Sequence, residues 1–277
     1  MHDASMQDLT PRLFVDWRSM RIRLILLSLF LVCLMTNSHW IPLLTYKLPA
    51  WIAESSLFAY FNSDGRTFYP LSDASFDAIA AEISQRLEQA SPLRIPPHRF
   101  QFIDQVDTMA AATADGTILV GANALRYMRG PDELVGLLAH EYAHLVHRDH
   151  LRGRLWLLTE CCLQWLLAGD NRDTFNWLSL RTLAYRRQME LEADDLAFRM
   201  LREARLPTQG MVDFFKRGPS GQEARNFYEI LATHPTDAKR VRHLEDLGAI
   251  PPIAPTSPLQ ASSWLALKHR AEELVQK

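Results

Sequence analysis

The stretch that most constrains this chain is Pro131-Asp-Glu-Leu-Val-Gly-Leu-Leu-Ala-His-Glu-Tyr-Ala-His144. Proline suits a first helical turn, and Asp132 and Glu133 favour the positive end of a helix dipole. Residues four apart on a helix lie on one face, one turn apart. His140 and His144 therefore present two imidazoles to one point, at a spacing that chelates a tetrahedral metal ion. Leu134, Leu138 and Leu145 are expected on the opposite side, anchoring the helix while the histidine stripe faces a cleft. Glu141, beside the first histidine, is placed to hold and deprotonate a water molecule at such an ion. The pattern names three functional residues at once, and its chance occurrence in a chain this size is on the order of a few per cent.

A catalytic zinc ion needs a third protein ligand and an open fourth position. Downstream stands Met189-Glu-Leu-Glu-Ala-Asp-Asp195 on an expected helix. Glu190 and Asp194 are again four apart and share a face with Ala193 and Ala197, small residues that let one helix approach another. Glu190 is thus expected as the third ligand, and Asp194 as the acceptor that fixes the tautomer of a ligand histidine. Glu192 and Asp195 point elsewhere and read as solvated carboxylates. His147 continues the histidine stripe by a turn and reads as a surface or supporting residue, and His150 reads as surface.

With both motifs in view, the sequence resembles the HtpX-like and CAAX-prenyl-protease zinc peptidases, metallopeptidase family 48. The family's HExxH and ExxAD stand here as His140-Glu-Tyr-Ala-His144 and Glu190-Leu-Glu-Ala-Asp194. Arg187 matches an arginine common in the family, and Thr233-His234-Pro235 followed by Arg240 is similar to its THP…R segment. The resemblance covers about residues 75–248. It implies a gluzincin-type endopeptidase with one zinc ion on His140, His144 and Glu190 and with Glu141 as general base. It also implies that His234 approaches the zinc, either to stabilise an oxyanion or to fill the open position and hold the enzyme latent. Arg240 is a candidate partner for an active-site carboxylate. One departure is that Thr108-Met-Ala-Ala-Ala-Thr113 stands where the family often has an Asn-Ala-x-Ala stretch. Between His144 and Glu190 there is no two-span membrane insertion, as in the family's soluble-domain members.

Before this domain, Arg12, Arg18, Arg21 and Arg23 precede an apolar run from Leu24 to Met35 that resumes at Trp40–Leu44. The uninterrupted part is as short as a signal-peptide core, whereas a membrane-spanning helix needs about 20 residues. The arginines place the N-terminus in the cytoplasm and the rest of the chain on the non-cytoplasmic side, periplasmic in a bacterium. An uncleaved signal-anchor over about 22–44 is the first reading, a cleaved signal and a soluble product the second. Organisation is then expected as 1–46 N-terminal region, 47–75 connecting segment, 76–248 peptidase domain and 249–277 linker with a short C-terminal helix.

Composition adds exclusions. The 277 residues are 48% hydrophobic with a formal charge of −2. Such a balance argues against a phosphate-driven nucleic-acid binder. Cys33 and the adjacent Cys161-Cys162 form neither a disulfide framework nor a zinc ribbon.

The expected fold is α+β, mainly helical, with a small β element beside the metal cleft. Ser72 is expected to cap a helix carrying Phe76, Ile79, Ala80, Ile83 and Leu87. Strands are expected at Phe100–Ile103 and Thr117–Val120 with Asp115-Gly116 turning between them, the second being the edge that aligns an extended peptide. Helices follow at Asn123–Met128 and about Leu183–Leu201. The apolar stretch from Leu151 to Leu183 reads as a buried helix or hairpin, with a membrane-surface segment as the alternative. Thr208 is placed to cap the next helix, one helix ends near Ala232, and another runs from Thr236 to Leu247. The function read here is zinc-dependent cleavage of membrane-associated or envelope proteins in quality control. The alternative is a latent or chaperone-like binding protein whose zinc site is plugged by His234.

Overall fold

The computed structural model describes residues 70–71, 73–93, 98–103, 110–113, 116–156, 160, 172–217, 234, 238–250, 254, 256 and 261–275, together with Leu24 and Ser28. The chain divides into two units, residues 1–40 and 41–277, and Leu24 and Ser28 are the described part of the first. The expected membrane segment therefore lies almost wholly outside the described residues, as do all three cysteines and, within the 151–183 apolar stretch, residues 157–159 and 161–171. Among the described residues no helix is long and apolar enough to cross a membrane.

In the second unit a four-stranded sheet has the order β1-β2-β4-β3, with β1 at Pro70–Leu71, β2 at Arg99–Ile103, β3 at Ala110–Ala112 and β4 at Thr117–Gly121. Helix α1 spans Ala74–Ala90. Its first turn is capped by Asp73, whose Oδ1 accepts the Phe76 amide at 2.9 Å; this aspartate takes the role expected of Ser72. Phe76, Ile79, Ala80, Ile83 and Leu87 are all buried, as their helical spacing requires. Phe76 stacks on Phe102 of β2 with ring centroids 5.4 Å apart.

The sheet corrects the expected hairpin. β2 and β4 run parallel, Arg99 beside Thr117 through Ile103 beside Gly121, so no tight turn joins them. β3 and β4 instead pair antiparallel, and between them the Gly116 amide donates to the Thr113 carbonyl at 3.1 Å. Gly116 sits at φ 85°, and the Thr113 hydroxyl donates to the Thr117 carbonyl at 2.8 Å. An all-alanine strand carries no β-branched or aromatic signal, which is why β3 is not legible in the sequence. As a result Thr117–Val120 is interior and buried along its length, and β3 is the outer strand.

Helix α2 covers Ala122–Tyr127 and α3 covers Pro131–His147. Pro131 starts α3, and Glu133 Oε2 accepts the Arg129 amide at 3.0 Å while Arg217 pairs with the same carboxylate. Every residue of α3 from Glu133 to Val146 is buried. The helix is therefore central, enclosed on its histidine side as well as its leucine side.

Helix α4 spans Arg172–Glu203, beginning well before the expected Leu183. Its Ala193 and Ala197 are fully buried, as expected for a close helix contact. Helix α5, Gln209–Lys216, has Thr208 at its cap position without a side-chain capping bond. It meets α3 backbone to backbone. A Cβ on Gly136 would lie 2.6 Å from the Met211 backbone, and one on Gly210 would lie 2.1 Å from the Asp132 carbonyl. Helices α6, Ala238–Gly248, and α7, Ala261–Val275, are the last of the described elements. Trp264, Leu267 and Ala271 of α7 join the core, and Lys268 donates to the Met128 carbonyl at 2.8 Å.

Candidate metal centre

Helices α3 and α4 and the segment before α6 bring His140, His144, Glu190 and His234 to one buried point. His140 Nε2 lies 3.0 Å from His144 Nε2, 3.3 Å from His234 Nδ1 and 3.3 Å from Glu190 Oε2. His144 Nε2 lies 3.5 Å from Glu190 Oε1, and His234 Nδ1 lies 3.1 Å from Glu190 Oε2. Bonds of about 2.0–2.1 Å to a zinc ion set tetrahedral donors about 3.3 Å apart. Imidazole nitrogens with a carboxylate oxygen also form the mixed set that zinc takes. The residues present therefore fit a tetrahedral ion.

Around this cluster stands a second ring of polar groups. His140 Nδ1 lies 3.0 Å from Asp194 Oδ1. Asp194 is fully buried and takes a forked pair from Arg240, Nε to Oδ2 at 2.7 Å and Nη2 to Oδ1 at 2.9 Å. Arg240 Nη1 lies 2.8 Å from Glu190 Oε2, and its guanidinium sits 4.6 Å from the Phe215 ring centre. Phe215 of α5 also packs on His140, with centroids 4.7 Å apart. The expected partnership of Arg240 with a site carboxylate is thus seen with two of them.

Glu141, on the same turn as His140, holds both carboxylate oxygens buried without a hydrogen bond among the described residues. His234 Nε2 lies 3.3 Å from Glu141 Oε1. His234 thus bridges the cluster, through Nδ1, and Glu141, through Nε2.

Three residues of the site were not anticipated from the sequence in these roles. Asp149 Oδ2 lies 2.6 Å from His144 Nδ1, and Asp149 Oδ1 accepts Arg152 Nη1 at 2.7 Å. Arg152 Nη2 in turn donates to Glu192 Oε2 at 2.5 Å. The expectation of Glu192 as merely solvated is corrected: it is half-exposed but holds a buried arginine. Asp195 stays largely exposed and pairs with His243 at 2.9 Å. His150 is half-buried rather than fully at the surface, and burial, then Arg154, push its pKa down to about 4.

Burial works against charge throughout the cluster, and specific partners overcome it. Glu190 is held well below the usual carboxylate range because His234 and His144, with hydrogen bonds from His140 and His234, outweigh its desolvation. Asp194 is lowered because Arg240 and His140 outweigh burial. His140 is raised although burial and His144 act to lower it, because Asp194 and Glu190 prevail. His144 is raised against burial by Glu190 and Asp149. The carboxylates are accordingly ionised at neutral pH, which a cation site requires.

The segment from Ala74 to Leu247, from the first residue of α1 nearly to the last of α6, holds every one of these groups. A family model for peptidase family M48 matches residues 74–247, well over half of the chain. The chain belongs to peptidase family M48. Members of M48 are metal-dependent, and membership makes this chain a metalloprotease. The mitochondrial metalloendopeptidase OMA1 of Schizosaccharomyces pombe (strain 972 / ATCC 24843) is 27% identical over 138 residues. The alignment covers 47% of this chain and 41% of that protein, so the chain spans less than half the length of the relative it matches.

Proposed function

We propose that this M48 peptidase is a zinc-dependent endopeptidase in which His140, His144 and Glu190 hold the ion and Glu141 is the general base. The observation that carries this reading is the donor spacing of 3.0 to 3.5 Å among those three side chains. When bound, zinc would supply Lewis acidity, polarising a scissile carbonyl and acidifying water. Glu141 takes the proton from the attacking water at a carboxylate oxygen as the carbon–oxygen bond forms. It returns that proton to the amide nitrogen as the carbon–nitrogen bond breaks. Asp194 orients His140, and Arg240 keeps Asp194 and Glu190 ionised and in place. The outer strand β3 has no strand partner on its far edge among the described residues. It is suited to align an extended peptide by strand addition, in place of Thr117–Val120.

The substrates we assign are membrane-associated or envelope proteins, cleaved in quality control on the non-cytoplasmic side. Support for this comes from the arginine-flanked apolar run before residue 45. Glu141→Gln is the direct test. It should retain zinc in metal analysis and lose cleavage of a denatured protein substrate, and unchanged turnover would remove Glu141 from the mechanism. Comparing N-terminal fragments from cells expressing the active and Glu141→Gln forms would identify the substrates.

A second reading has its own observation. His234 Nδ1 stands within 3.3 Å of both His140 and Glu190, where a fourth donor belongs. In that reading His234 fills the open position and the protein is latent or holds clients without cutting them. His234→Ala separates the two: higher peptidase activity supports latency, and lost activity supports a catalytic role.

A further inference from the structure

We infer that Asp149 is a positioning residue of the metal centre, fixing His144 from outside as Asp194 fixes His140, and that Arg152 and Glu192 lock it there. This rests on the reading of His140, His144 and Glu190 as ligands.

Sequence spacing alone would exclude Asp149. Five residues past His144 on an unbroken helix, it would point about 140° around the axis from it. The helix is broken, however. Arg148 adopts the left-handed conformation at φ 53° and ψ 44°, and its amide closes α3 onto the carbonyls of His144 and Leu145. The chain reverses, and a new helical stretch, 149–156, starts with Asp149 turned back onto His144. The resulting contact is short, 2.6 Å from Oδ2 to Nδ1. It makes Nδ1 the donor and leaves the Nε2 lone pair aimed at Glu190 and His140, as a ligand requires.

The carboxylate is itself held. Its other oxygen takes Arg152 Nη1 at 2.7 Å, and Arg152 is 2% exposed. From there Nη2 reaches Glu192 on α4, two residues beyond Glu190. His144 is thereby referenced to the same helix that supplies the third ligand. Two similar series then surround the centre: His140, Asp194, Arg240, Glu190, and His144, Asp149, Arg152, Glu192. Each arginine also lies near an aromatic ring, Phe215 at 4.6 Å and Tyr185 at 5.9 Å. Asp194 meets His140 with an oxygen that the Arg240 fork also holds, whereas Asp149 meets His144 with an oxygen of its own. Here the carboxylate divides its oxygens between the arginine and the histidine.

The test uses the full chain, stripped of metal, with zinc affinity measured by competition against a chromophoric chelator. The visible spectrum of the cobalt-substituted form reports ligand geometry independently of activity. Asp149→Asn should weaken zinc binding about tenfold and Asp149→Ala towards a hundredfold, with an altered cobalt spectrum. Glu192→Gln, one step further out, should cost less than either. Wild-type zinc affinity and cobalt spectrum in a folded Asp149→Asn protein would overturn the inference. So would a lowered unfolding midpoint of the metal-free protein with affinity unchanged, which is the mark of a structural pair. Should Asp149→Ala fail to fold, the isosteric Asp149→Asn decides the matter. A wild-type chain that takes up no zinc would instead bring down the ligand assignment, and this inference with it.

Discussion

Gly136→Ala sets two effects of known sign against each other. In a helix interior, alanine is favoured over glycine by about 1 kcal/mol. Here the new methyl carbon would lie 2.6 Å from both Cα and N of Met211. Ordinary contact is about 3.5–4.0 Å, so α5 must retreat by about 1 Å. The obstacle is backbone, which cannot rotate aside, so the overpacking cost falls at the upper end of the usual range, about 2–3 kcal/mol. We expect a net loss of about 1–2 kcal/mol and a melting point lower by roughly 2–8 °C. The retreat also reaches the centre, since α5 carries Phe215, against which His140 and Arg240 pack. Peptidase activity of the surviving folded protein should fall as well. The assay is thermal melting by circular dichroism, followed by turnover of a quenched peptide at a temperature where both proteins are folded. Gly153→Ala is the internal control, because its nearest neighbour is the flexible Met189 Cε at 3.9 Å. That change should be neutral or stabilising. A Gly136→Ala protein that melts higher than the wild type would refute the reasoning, because propensity would have won against the backbone contact.

Arg240→Met leaves Asp194 buried without its forked partner, and chemical denaturation of the metal-free protein should show a loss of about 3–5 kcal/mol. A loss below about 1 kcal/mol would mean that Asp194 and Glu190 are neutralised in some other way. His150 supplies the pH dependence. Its folded pKa of about 4 lies below the ordinary histidine value of 6.5, so the unfolded chain binds the proton first. Stability is fully present above pH 6.5 and is lost as pH falls towards 4, by about 2–3 kcal/mol from this one group. His150→Gln should flatten that limb in urea melts, and an unchanged slope between pH 6.5 and 4 would count against it. Zinc at a hundred times its dissociation constant should stabilise the stripped protein by about 2.7 kcal/mol. His140→Ala should abolish that shift, and its persistence would place the ion elsewhere.

Much of the centre was legible because it is local. His140, Glu141 and His144 share one helical turn, and Glu190 and Asp194 share another, so spacing sufficed. Glu192 shows the limit. It sits between Glu190 and Asp194 in sequence, and nothing in that run tells that a buried arginine awaits it across the fold. The polyalanine β3 and the parallel pairing of β2 with β4 were hidden for a related reason. Strand partners are chosen by what packs across the sheet, and three alanines carry no pattern of their own.

The helix bearing His140, Glu141 and His144 was thus determined by the sequence itself, since helical periodicity converts spacing directly into a shared face. The tertiary structure decided how that face is enclosed. It buried α3 on all sides and brought Arg240 onto two carboxylates. It set His234 beside both the cluster and Glu141, and through one left-handed residue at Arg148 it turned Asp149 back onto His144. Those contacts join residues far apart in the chain or lying across a break in the helix, where periodicity no longer relates sequence position to direction.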